Sequence, residues 1–243
     1  MLKVMLVIAF FAAGAGVFAQ NGTISISTSY NNLLSNPEGT GMLDRTTAEA
    51  FRRIGYEAEL VYTQTEKALH DVDAGILDAE INRIGGMEKE YPNLVRVPEP
   101  NMTMRFVAFS SSPLEITDWQ SLEDYDIGIV RGWKILEAHT AGFPSVTFVP
   151  TEVELFTMLE KGRIDAALYA ELTGYAALRD LGYSGIRHIE PPLAERDMYL
   201  YLHRSLKELA LPLAEALRDM KRDGTYDRIV RETLDQYLPS VTR

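Results

Sequence analysis

The sequence predicts an α/β chain built as two similar lobes, and three observations carry that prediction. A segment reading TEKALHDVDAGILDAEINRIGG (residues 65–86) returns as TEVELFTMLEKGRIDAALYAE (residues 151–171). Strand-length apolar or alternating segments recur between helical stripes along most of the chain. At 243 residues, with 46% hydrophobic and 24% charged residues, the chain is long enough and apolar enough to give two lobes a core each.

The first lobe opens with TISISTSY, which alternates apolar and hydroxyl residues at period two and reads as a strand ending near Tyr30. NNLLSNPEGTG is loop chemistry, and the spacing of Leu43, Thr47, Ala50, Phe51 and Ile54 then predicts a helix closed by Gly55. AELVYT is a second strand. Thr63 with Glu66 and Thr151 with Glu154 both have capping-box spacing, so each repeat starts a helix. Each helix stops at a glycine, Gly75 or Gly162, and an apolar run opening Asp-Ala follows within three residues. That is a helix-to-strand turn feeding a buried parallel strand, used twice. Asp78 and Asp165 at the strand starts are expected to bond the preceding turns rather than to do chemistry.

MRFVAFSS is a strand running into a Ser-Pro crossover, and DIGIV is a strand that turns at Gly132 into a helix from Lys134. VTFVP is another strand, TGYAALRDLG a helix, and DMYLYLHRS, from Asp197, the strand that carries the chain back. The tail predicts two helices separated at Asp223-Gly224, with Pro212 either kinking the first or marking its start.

Residues 1–19 carry Lys3 as their single charge, an apolar run, and Val17-Phe18-Ala19 before Gln20. This reads as a signal peptide cut after Ala19; the apolar run is shorter than the roughly 20 residues a spanning helix needs. Cleavage would leave 23 of the 24 basic residues against 35 acidic ones, a formal net charge of −12. That charge disfavours nucleic acid and anionic membranes as partners. With no cysteine, there is no disulfide framework and no thiol chemistry. Periplasmic localisation is the expectation.

Taken in order, GILDAEINRI, DIGIVRGWK, GRIDAALYAE and the ending LAEALRDMKRDGTYDRIVRETL resemble the periplasmic solute-binding proteins of amino-acid transporters, family 3, in the subgroup with a two-strand hinge. The resemblance covers most of the chain after residue 19. It implies a two-lobed periplasmic binding protein-like fold. Lobe 1 would comprise residues 20–109 plus 196–243, and lobe 2 residues 110–195, each a mixed, mostly parallel sheet flanked by helices. It further implies a cleft between the lobes that closes on a small-molecule ligand. A membrane permease of the ABC class or a membrane sensor would receive the loaded protein, which is expected to act as a monomer without cofactors.

Arg83 stands at the carboxyl end of its strand, where its guanidinium can pair with a carboxylate or with the nearby Glu80. Glu80 could accept from a ligand amine or simply hold Arg83. Arg131, Gly132 and Trp133 sit at a strand-to-helix turn suited to an anionic group, with Trp133 covering the ligand or packing between helices. Tyr30, at the end of the first strand, is a candidate stacking wall by analogy with the family. The family's ammonium-binding Asp is replaced by Ala170, which leaves neighbouring Glu171 as a substitute or the ligand as something other than an amino acid. The family's usual Thr-Pro-Glu-Arg segment is also missing.

Enzymatic use of the fold, as in dehydratase-like relatives, finds little support. His70, His139, His188 and His203 lie on separate elements, without metal-ligand spacing or a nucleophile elbow. No catalytic or metal-binding residues are expected.

Overall fold

A computed structural model describes residues 22–63 and 65–234. The leader expected over residues 1–19 lies outside the described residues. The first half of the chain gives β1 (Thr23–Thr28), α1 (Met42–Arg53), β2 (Glu57–Tyr62), α2 (Thr65–Asp73) and β3 (Ala79–Ile84). A short β4 (Leu94–Arg96) and a long β5 (Met102–Ser110) follow. The second half repeats the pattern with β6 (Ile127–Val130), α3 (Lys134–His139), β7 (Val146–Val149), α4 (Glu152–Glu160) and β8 (Ala166–Ala170). The chain continues with α5 (Glu171–Asp180), β9 (Arg187–His203), α6 (Ala210–Arg222) and α7 (Thr225–Leu234).

The strands hydrogen-bond in the order β2-β1-β3-β9-β5-β8-β6-β7, with β4 paired to β9 off this path. In one half β1 runs parallel to β2 and β3; in the other β6 runs parallel to β7 and β8. Each parallel triplet ends on one long antiparallel strand, β3 on β9 and β8 on β5, and those two strands pair with each other. The result is two lobes, each a mixed, mostly parallel sheet flanked by helices, joined through a two-strand hinge. Core strands β6 and β8 are buried at every residue, as parallel strands covered on both faces must be, whereas the outer strand β2 exposes Glu57, Glu59 and Tyr62.

The internal repeat occupies equivalent places in the two lobes. Gly75 and Gly162 end α2 and α4 with φ of +71° and +61°, a region that costs a side chain strain. Thr151 caps α4 by accepting from the Glu154 N–H at 3.2 Å. Thr63, ahead of α2, bonds the Ser27 hydroxyl at 2.8 Å, and the Glu66 side chain expected to complete its cap lies outside those described. The Asp78 carboxylate accepts from the Ser25 N–H and hydroxyl at 2.9 and 2.8 Å, and Asp165 accepts from the Asp126 N–H at 2.9 Å. Each aspartate therefore ties its strand to the first strand of its lobe.

The return strand differs from the sequence expectation. It starts at Arg187, ten residues before Asp197, and runs through Pro191 and Pro192. Proline cannot donate to a ladder, so this stretch reads as a loop in sequence. The ladder accommodates it by a bulge: Phe106 pairs with Ala194 and Ala108 with Ile189, so residues 190–193 face a single residue of β5. The C-terminal helices pack on α1, with ion pairs from Arg53 to Asp223 at 2.8 Å and from Arg45 to Glu232 at 2.5 Å. Pro212 falls in the first turn of α6, where its missing N–H leaves no helical bond unmade.

Candidate functional site

Between the lobes lies a cavity of about 620 Å³. The first lobe brings Tyr30, Asn82 and Arg83 to it from the ends of β1 and β3, and the second brings Arg131, Gly132 and Trp133 from the turn after β6. The hinge strands supply Met104, Phe106, Arg196 and Met198. Five of the seven residues singled out from sequence therefore share one space. The other two, Glu80 and Glu171, do not line it.

Glu80 is fully buried beneath this cavity, with its carboxylate 2.9 Å from the Arg83 Nε. Two residues three apart on a flat strand would point to opposite faces. Here β3 slips against β9, so that Glu80 lies opposite Tyr201 and Arg83 opposite Tyr199, and the bulge puts both charges on one face. Burial pushes the Glu80 carboxyl up to about 7, with Arg83 and Ser27 pulling it part of the way back. Arg83 also reaches the Ser29 hydroxyl at 3.4 Å. Asn82, fully buried, donates to the Tyr30 hydroxyl at 3.1 Å and its own amide oxygen has no partner among the described residues. Burial raises the Tyr30 phenol above its ordinary value, so it is a neutral wall and donor.

At the turn after β6, Gly132 takes φ +94°, which a side chain would resist. Its N–H donates to the Glu137 carboxylate at 2.7 Å. The backbone donor expected to meet a ligand anion thus already has an internal one, and among the described side chains of this turn the positive charge is that of Arg131. That side chain is exposed, with its guanidinium carbon 5.4 Å from the centre of the Phe148 ring. Trp133 both packs and lines. It meets Phe106 edge-on at 5.6 Å and Tyr169 at 4.9 Å while presenting part of its surface to the cavity.

Glu171 lines a second cavity, of about 110 Å³, which shares Met104 with the first. Its carboxylate is held by the Arg105 guanidinium at 2.5 Å and lies 3.8 Å from the His188 Nδ1. Arg105 also bonds Glu190 at 2.7 Å and contacts Glu195 at 3.3 Å. The carboxylate expected as an ammonium acceptor is therefore occupied within the protein.

Arg196 was not legible as a site residue, because the strand that carries it was expected to begin one residue later. Its guanidinium donates to the Glu195 carbonyl at 2.7 Å. Among the described residues neither Arg131 nor Arg196 has a carboxylate within ion-pair reach. Asn82 did carry a signal, as a polar residue inside an apolar strand. Met104 and Phe106 carried one too, as alternate residues of MRFVAF.

No known family profile matches the sequence. The chain is 27% identical over 191 residues to an uncharacterised protein of Shewanella oneidensis, covering 74% of this chain and 70% of that one. Among solved structures it is similar to the L-cystine solute receptor of Neisseria gonorrhoeae in its unliganded open conformation, at TM-score 0.72 and 19% identity, covering 90% and 97% of the two chains. A histidine kinase sensor domain with similarity to periplasmic binding proteins matches at TM-score 0.66 and 16% identity, covering 89% and 97%. An ancestral arginine-binding protein bound to arginine matches at TM-score 0.66 and 17% identity, covering 88% and 99%. The resemblance read from the sequence holds at the level of the fold: the chain has the two-lobed architecture of these solute-binding proteins.

Proposed function

We propose that this protein captures a small carboxylate-bearing solute in the periplasm by closing its two lobes, and that it binds rather than transforms that solute. One observation carries the reading. In a chain of net charge −11, a cavity between two lobes gathers Arg83, Arg131 and Arg196. A patch of that sign against an acidic background focuses small anions into the cleft. The lobe boundaries at 109/110 and 195/196 are retained in the proposal; both fall inside the long strands β5 and β9, where bending of the pair would swing one lobe on the other.

A monomeric binding protein of this kind hands its solute to an ABC permease. The similarity to a kinase sensor domain favours a second receiver, a membrane sensor that reads the closed form. Both receivers use the same cleft. The test is a panel of carboxylates, amino acids, amines and sugars, scored by melting temperature and by small-angle X-ray scattering. The expected result is stabilisation by carboxylates alone, with a smaller radius of gyration in the same samples. Stabilisation by sugars or amines alone would overturn the proposal.

A further inference from the structure

We infer that the solute carries its carboxylate on an apolar body and lacks a charged amine, so that the cleft selects against zwitterionic amino acids. This rests on the solute-binding reading above and sharpens it to a substrate class. Two features of the cleft support it.

A carboxylate entering the cleft finds ionic partners and an ammonium does not. Arg131 and Arg196 offer two guanidinium groups without carboxylate partners among the described residues. Among the described residues lining the 620 Å³ cavity none is Asp or Glu. Glu80 lies beneath it, fully buried against Arg83, and Glu171 is bound to Arg105 in the neighbouring cavity. An ammonium group here would give up its water without gaining an ion pair, beside three cations.

The remaining surface is suited to an apolar body. Met87, Met104, Met198, Phe106, Ile84 and Trp133 form its bulk, and methionine side chains adapt to irregular apolar shapes. The unpartnered amide oxygen of Asn82 adds one buried acceptor, which suits a hydroxyl or amide N–H on the solute.

The experiment uses matched pairs that differ only at the α-amino group: 3-phenylpropionate against L-phenylalanine, 4-methylpentanoate against L-leucine, and glutarate against L-glutamate. Each is titrated calorimetrically into the wild-type protein and into Arg131→Gln/Arg196→Gln. Both substituted side chains are exposed, so the variant folds. The expected result is that at least one desamino acid with an apolar body binds tenfold or more tightly than its amino acid. The double variant should lose that affinity by at least tenfold. Tighter binding of an amino acid than of its desamino partner would overturn the selectivity inference and leave solute binding intact; loss of that binding in Glu171→Gln would then identify the ammonium acceptor. If no member of any pair binds at millimolar concentration, both the inference and the carboxylate-binding reading fail.

Discussion

Arg105 and the pair Arg131 and Arg196 sit on and beside the hinge strands, and they are treated in opposite ways. Arg105, on β5, is surrounded by Glu171, Glu190 and Glu195, so its charge is more than matched within the protein. Arg131 and Arg196, facing the larger cavity, have an aromatic ring and a backbone carbonyl for company. Lobe closure would strip water from these two cations, which is costly unless a counter-charge arrives with the solute. Under the proposed function the neutralised cluster belongs to the structure and the open pair to the solute. The difference also separates the two acids read from the sequence as ligand contacts, since each has an arginine of its own.

Ways to break this comparison begin with the open pair. Arg131→Gln/Arg196→Gln should reduce affinity for a bound carboxylate by roughly 10- to 100-fold, the effect of losing charge-assisted bonds worth about 1.5–3 kcal/mol. Its unliganded stability should stay within about 0.5 kcal/mol of wild type, as for other exposed substitutions. Calorimetry and chemical denaturation check the two halves of that statement separately.

The next largest effect concerns the buried pair under the cleft. The folded-state value of Glu80 is raised, to about 7, above its ordinary 4.5. A raised acid contributes stability that is fully present below pH 4.5 and is lost as pH rises through 7. The loss should reach about 3 kcal/mol across that window, because each tenfold change in proton affinity corresponds to about 1.4 kcal/mol. Denaturant midpoints measured from pH 4.5 to 8 should therefore fall more steeply for wild type than for Glu80→Gln, which has no proton to lose. Parallel curves would remove Glu80 as the source.

The Arg105 cluster has the opposite sign and a smaller size. Arg105 holds the Glu190 carboxyl below its ordinary value. The stability this supplies is present above pH 4.5 and lost as pH falls through the depressed value. Glu190 and Glu195 are both more than half exposed, which limits what the pairs contribute. Arg105→Gln should cost about 1 kcal/mol or less at neutral pH, with the cost shrinking in high salt, and should leave solute affinity unchanged. A large loss of affinity in this variant would mean that Arg105 and the open pair are not separate.

Much of this fold was legible because local chemistry and global position agree. The Gly stops and the Asp-Ala strand openings recur since each lobe solves the same helix-to-strand turn; the two aspartates are structural, but they bond the first strand of their lobe where the sequence suggested the preceding turn. The first half of β9 was hidden because Pro191 and Pro192 are tolerated only through a bulge that β5 helps to define. Arg196 was hidden with it. The pairing of Glu171 with Arg105 joins residues far apart in sequence, and no local pattern announces it. Glu80 and Arg83 are neighbours in sequence, yet they share a face only because β3 slips against β9.

The central claim is that the cleft arginines receive the anionic end of a solute. It is tested most directly by thermal unfolding of wild type and Arg131→Gln/Arg196→Gln, each with 3-phenylpropionate at about 100 times its wild-type dissociation constant. The account predicts about 2.7 kcal/mol of stabilisation in wild type, a melting shift of roughly 5–10 °C for a chain of this size, and about 0.4–1.4 kcal/mol in the variant, whose affinity is about 10- to 100-fold lower. Equal shifts in the two proteins would contradict it.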